Sequence, residues 1–297
     1  MTVRKLLFIT FCIVTLVSCK SYIRYGTVRN NVCKTLDKEV VLYAIFVDSD
    51  KTHPWTGYDI RSTLDSIQVS IDWMHKKAVE KGINLTIRLN HAQRETIIPF
   101  KEAFKYGTLS GTLFKYADLS KGIKYVDEWA DNVAKDVAKT LPDDTASFIL
   151  TKNKSNDRER MIAKLRNVYE TDNIAVMYFI NNYFENEISV ALHTGSNDKT
   201  EYCIVSTKQP SVIAHEFLHL FGAIDLYVSP FDRKIRNRAK KKRAMKKYPK
   251  ELMAFTYKRL DSLELSPLTH YLIGWDNKLN PSDYHFVSKR RWRLLEY

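Results

Sequence analysis

Residues 213–227 read Ile-Ala-His-Glu-Phe-Leu-His-Leu-Phe-Gly-Ala-Ile-Asp-Leu-Tyr, and no other stretch restricts the fold so tightly. His215 and His219 are four apart, so a helix projects both from one face with Cβ atoms about 5–6 Å apart. At that spacing two imidazoles can bind one Zn2+ at about 2.0–2.1 Å each. Glu216, beside the first histidine, is placed to reach a metal-bound water and take its proton. Val212, Ile213, Leu218, Leu220 and Phe221 supply apolar packing for the rest of the helix. Gly222 can end it at positive φ with little cost. The chain can then double back and bring Asp225 under the histidines as a third ligand. At this composition His-Glu-x-x-His arises by chance in roughly one chain in a hundred. Requiring Gly222 and Asp225 as well lowers that to about two in a hundred thousand. The expected metal ligands are therefore His215, His219 and Asp225, with Glu216 as the catalytic carboxylate. The competing account is a buried helix whose histidines are satisfied by hydrogen bonds alone.

The elements leading to this helix alternate. Glu39 to Val47 is a continuous apolar run with β-branched content, which predicts a buried strand. From Asp59 to Lys81 the apolar residues Ile60, Leu64, Ile67, Ile71, Met74 and Ala78 recur at helical spacing, and Gly82 marks the stop. Residues 84–89 alternate as a strand. Strand, helix, strand is a crossover unit, and it predicts an α/β sheet. Further on, Val126 to Leu141 reads as a helix ended by Pro142, and Asp157 to Thr171 as a polar, basic helix. Ile174 to Ile180 reads as a buried strand, Ser189 to His193 as a short edge strand and Tyr202 to Ser206 as another strand. Pro210 opens the histidine helix. Residues 90–126 have no clear pattern.

The segment His215 to Asp225 resembles the extended zinc motif of the metzincin metallopeptidases, in the variant with aspartate as third ligand found in snapalysin-like enzymes. The resemblance implies an α/β (α+β zincin-like) fold. A twisted mixed sheet would carry the active-site helix over residues 39–224, with a smaller, mostly helical subdomain over 225–297. It implies a zinc cofactor, a peptide or protein substrate added along the edge strand Ser189 to His193, and a methionine-bearing turn beneath the metal. Met253, 28 residues after Asp225, fits that turn; Met245 competes but lies inside a basic run. Some metzincins have a tyrosine two residues after this methionine; here the position is Phe255, and Tyr257 is the nearby substitute. An anionic third ligand leaves a metal less electrophilic than three imidazoles would. Two other readings stand beside the peptidase: a non-catalytic zinc-containing binding lipoprotein, and a zincin whose third ligand is a distant glutamate such as Glu264.

Residues 1–18 combine a basic start (Arg4, Lys5) with an apolar stretch from Leu6 to Val17, too short to span a bilayer. The sequence Leu16-Val17-Ser18-Cys19 resembles the bacterial lipoprotein box. That implies removal of residues 1–18, acylation of Cys19, a tether over 19–38 and a lipid-anchored place in the bacterial cell envelope. Of four cysteines, Cys12 leaves with the signal and Cys19 carries lipid, which leaves Cys33 and Cys203 either paired or free.

Export changes the meaning of the +13 formal charge. Without Arg4 and Lys5, 45 basic residues face 34 acidic ones; residues 233–250 alone hold 11 basic residues and no acid, and the remainder is balanced. The basicity is one local feature. It reads as a solvated helical insert beside the cleft or as a contact for anionic lipid headgroups or acidic polymers. Nucleic acid is not an expected partner, since the chain has an export signal and no reading motif. A monomer is expected. Of the remaining histidines, His193 is expected to be exposed on its edge strand, and His53, His75, His91, His270 and His285 lack ligand-type spacing.

Overall fold

Every residue from Val40 to Val47 is buried, and this run forms the spine of a five-stranded sheet. The computed structural model describes residue 33 and residues 35–49, 52–96, 116–142, 156–181, 189–194, 199–228 and 235–287. The signal and lipidation positions, including Cys19, lie outside the described residues, as do Arg233 and Lys234 at the start of the basic run.

The sheet order is β2-β1-β3-β5-β4, with β1 Lys38–Ser49, β2 Leu85–Thr96, β3 Asn173–Ile180, β4 Val190–Leu192 and β5 Tyr202–Val205. All neighbours are parallel except β4 with β5, where Val190 pairs with Ile204 and Leu192 with Tyr202. Helix α1 (Gly57–Lys81) makes the crossover from β1 to β2. Thr56 caps its start by accepting from the Asp59 N–H, and Gly82 ends it at φ 72°. Helices α2 (Tyr116–Thr140) and α3 (Asp157–Tyr169) pack on each other, and α4 (Pro210–Leu220) packs against α1.

Consecutive residues of β5 show how the layers stack. The Tyr202 hydroxyl donates to Asp127 of α2, whereas the Cys203 thiol donates to the carbonyl of Glu216 in α4. Side chains alternate across a strand, so α2 and α3 cover one face of the sheet and α4, with α1, the other. A parallel sheet covered on both faces explains why β1 and β3 are continuous apolar runs rather than alternating ones.

The mixed α/β expectation therefore holds, with a mostly parallel sheet. After α4 the described chain adds α5 (Ile235–Lys247), three 3-10 turns and α6 (Pro267–Leu272). The indole of Trp275 and the N–H of Leu36 tie this region to the segment before β1. Cys33 and Cys203 are both free and buried; the Cys33 thiol donates to the carbonyl of Ile174.

Candidate metal centre

Helix α4 begins with Pro210, whose missing N–H costs nothing in a first turn. The preceding and first-turn side chains anchor it: Gln209 and Ser211 both donate to the carbonyl of Thr256, at 3.0 and 2.6 Å. Nearly the whole helix is buried, including His215, Glu216 and His219. A helix this apolar would ordinarily carry no titratable groups, so three adjacent to one another need a common purpose.

Its end is set by Gly222, at φ 96°. The N–H of Ala223 bonds to the Leu218 carbonyl and that of Gly222 to the His219 carbonyl, which together form a Schellman reversal. A Cβ at Gly222 would lie 3.1 Å from the Leu272 carbonyl, so this position requires glycine for both conformation and space. The reversal has two consequences. The Ala223 carbonyl meets Nδ1 of His219 at 2.8 Å, and Asp225 returns beneath both imidazoles. An Nδ1–H donating to that carbonyl leaves the Nε2 lone pair of a neutral His219 directed into the site.

Three donor atoms converge there. His215 Nε2 and His219 Nε2 are 3.0 Å apart, and each is 3.1 Å from Asp225 Oδ1. This trio is the one group of three His, Cys, Asp or Glu side chains among the described residues able to hold a metal ion together. The structure thus brings together His215, His219 and Asp225. Glu264, the distant alternative, is exposed and pairs with Lys250 at 3.3 Å.

The electrostatics are those of a crowded site whose histidines and Glu216 are buried and whose Asp225 is one-third exposed. Burial lowers the pKa of His215, and the neighbouring His219 lowers it further. His219 is raised to about 9: the Asp225 carboxylate and its hydrogen bond outweigh the burial cost. Asp225 is held far below the usual carboxylate range by the two imidazoles, against burial. Burial pushes Glu216 up to about 8, with Asp225 adding to the rise and His219 opposing it. Its Oε2 is buried with no hydrogen-bond partner among the described residues.

Met253 sits in the 3-10 turn Leu252–Ala254, fully buried, and its carbonyl accepts from the N–H of Leu226, one residue past Asp225. The buried Glu251 carboxylate fixes this turn by accepting from the N–H groups of Met253 and Ser266. The Leu252 carbonyl also acts on the His215 ring. Phe255 is buried and has no hydroxyl, and Tyr257 is 72% exposed with its ring edge-on to that of Phe255.

No protein-family model matches the chain, and no curated protein matches it.

His193 departs from expectation. It is 2% exposed rather than on the surface, at φ 62°, and its Nε2 lies 2.7 Å from Asp127 Oδ1. Asp127 also receives Tyr202 at 3.0 Å, Lys199 at 3.0 Å and Arg158 at 3.1 Å. Arg158 in turn bonds Asp131 at 2.6 Å and stacks over the Tyr202 ring. Helix α3, expected as a polar, basic helix, thus buries a charge, and the cluster fastens the end of β4 to α2, α3 and β5. Contacts 27 to 75 residues apart build it, so no local pattern announces it.

Proposed function

We propose that the protein is an exported, lipid-anchored, zinc-dependent endopeptidase of metzincin type, with a zincin-like fold. The observation that carries this reading is the 3.0–3.1 Å triangle of two imidazole nitrogens and one carboxylate oxygen, with an unpartnered buried carboxylate next in sequence. Donors about 2.0–2.1 Å from a tetrahedral ion stand about 3.3–3.4 Å apart, so the trio needs only slight adjustment to hold zinc. Without a cation, a proton on His219 shared with Asp225 takes its place, and a metal ion would displace it. A nitrogen-rich donor set with one carboxylate suits zinc better than magnesium or calcium, which prefer oxygen.

Zinc held by His215, His219 and Asp225 would supply a Lewis acid and activate water. Glu216 accepts the proton of the attacking water and passes it to the leaving amine nitrogen. Its high pKa suits the second task, and a nearby cation would lower it enough for the first. The Ala223 carbonyl orients His219 through its Nδ1. Strand β4, antiparallel at the sheet edge and in contact with α4, receives an extended peptide by strand addition. Acylated Cys19 holds the protein at the cell envelope.

The test is zinc content by elemental mass spectrometry, followed by digestion of an unfolded protein pool. About one zinc per chain is expected. Glu216→Gln should keep the metal and lose about 10²–10⁴ of turnover. A folded protein that retains no zinc, or a fully active Glu216→Gln variant, overturns the mechanism. Zinc without hydrolysis of any pool would instead identify a binding lipoprotein.

A further inference from the structure

The basic run is not part of the metal site, and its fold gives it a distinct face. Helix α5 is fastened through Lys241 and Ala244, both buried, with Met245 and Tyr248 packed against the core. At 100° per residue the opposite side presents Arg236, Arg238, Lys242, Arg243 and Lys246 on one continuous arc, all exposed. No carboxylate pairs with any of these five among the described residues, whereas Lys247 pairs with Asp283 and Lys250 with Glu264. Arg238, Lys242 and Lys246 form an i, i+4 ladder of like charge, which destabilises a helix unless counter-charge is supplied. Beside it, Arg236, Ala239, Lys240, Arg243 and His285 line an open groove of about 330 Å3. Ile235 and Tyr284, next in sequence to the groove residues Arg236 and His285, are 86% and 61% exposed.

We propose that α5 docks the protein onto an anionic phospholipid surface, with the groove receiving a lipid phosphate and Ile235 and Tyr284 entering the interfacial layer. A single phosphate would satisfy the groove but not the arc, which runs about 15 Å along the helix. A planar array of anionic headgroups satisfies both. Choosing a membrane over another polyanion rests on the lipoprotein reading of Cys19. Fourteen residues from Cys19 to Cys33 keep the fold within about 50 Å of the bilayer. The zinc chemistry plays no part in the inference.

The experiment uses the chain beginning at Lys20, which keeps every described residue and carries no acyl anchor. Cosedimentation is measured with vesicles of phosphatidylcholine alone and with about 30% phosphatidylglycerol. We expect at least tenfold enrichment on the anionic vesicles, lost at high salt. Each basic residue at such a surface contributes about fivefold, so Arg238→Gln/Lys242→Gln/Lys246→Gln should weaken binding on the order of 100-fold. Its thermal unfolding should come no lower than wild type, since the like-charge ladder is relieved, and its zinc content and peptide hydrolysis should match. A second variant, Arg236→Gln/Arg243→Gln, should weaken binding independently and show that the groove takes part. Equal binding to both vesicles, or anionic binding unchanged in both variants, overturns the proposal. So does affinity confined to inorganic phosphate or to polyglutamate, with no vesicle enrichment.

Discussion

Zinc binding should expel protons, and their number follows from the site. At pH 7 His219, at about 9, is almost wholly protonated, and Glu216, at about 8, is about nine-tenths protonated. His215 is lowered and Asp225 is held ionised, so neither adds much. A dication must displace the His219 proton to use its Nε2, and its field should ionise Glu216. Together they should release about 1.9 protons per zinc at pH 7. At pH 9 the same arithmetic gives about 0.6, because His219 is half ionised and Glu216 nearly fully so. Apparent affinity should therefore rise nearly 100-fold per pH unit below pH 7 and level off above pH 9. Calorimetric titrations in buffers of different ionisation enthalpy count the protons directly. Glu216→Gln should lower the count at pH 7 to about one. A buffer-independent enthalpy at pH 7 would refute the protonated His219–Asp225 pair, and identical counts in wild type and Glu216→Gln would refute the protonated Glu216.

Other outcomes follow from neighbouring geometry. Zinc at about 1,000 times its Kd should stabilise the wild type by about 4 kcal/mol and raise Tm by about 10 °C. Asp225→Asn, which keeps the shape and loses the anionic donor, should show less than half that shift; an equal shift in a thermal scan would exclude Asp225 as a ligand. Gly222→Ala must place a Cβ at φ 96° against the Leu272 carbonyl. It should cost about 1–3 kcal/mol in denaturant unfolding and weaken zinc about 10–100-fold by moving the Ala223 carbonyl. Asp127 is held well below the usual carboxylate range: burial alone would raise it, but His193, Arg158 and Lys199 prevail. Its stabilisation is present above the unfolded value near 4 and is lost as pH falls through the lower folded value. Asp127→Asn should therefore cost about 2–3 kcal/mol at neutral pH, because Arg158 loses one carboxylate partner but keeps Asp131, and should flatten the acid limb of the stability curve. An unchanged limb would show that this carboxylate is not the acid-sensitive group. Burial raises both Cys33 and Cys203 thiols well above their usual range. In the chain from Lys20 a thiol reagent should modify neither in the native state and both after unfolding; a native disulfide would leave none.

Much of this protein is written locally. Four-residue histidine spacing, a proline at the first helical turn and a glycine at the last fix α4 and the return of Asp225, because each acts within a few residues. The apolar runs of β1 and β3 announce strands buried on both faces, and Gly82 fixes the end of α1. Tertiary structure alone decided the rest. It turned His193 inward and buried Arg158 beside Asp127, against their ordinary preference for solvent, because partners on α2, α3 and β5 jointly offset the desolvation. It left Cys33 and Cys203 as separate thiols, each donating to a nearby carbonyl. It also placed Glu216 in surroundings dry enough to hold a proton near neutral pH, a property of the packed volume around the carboxyl that no spacing of residues encodes.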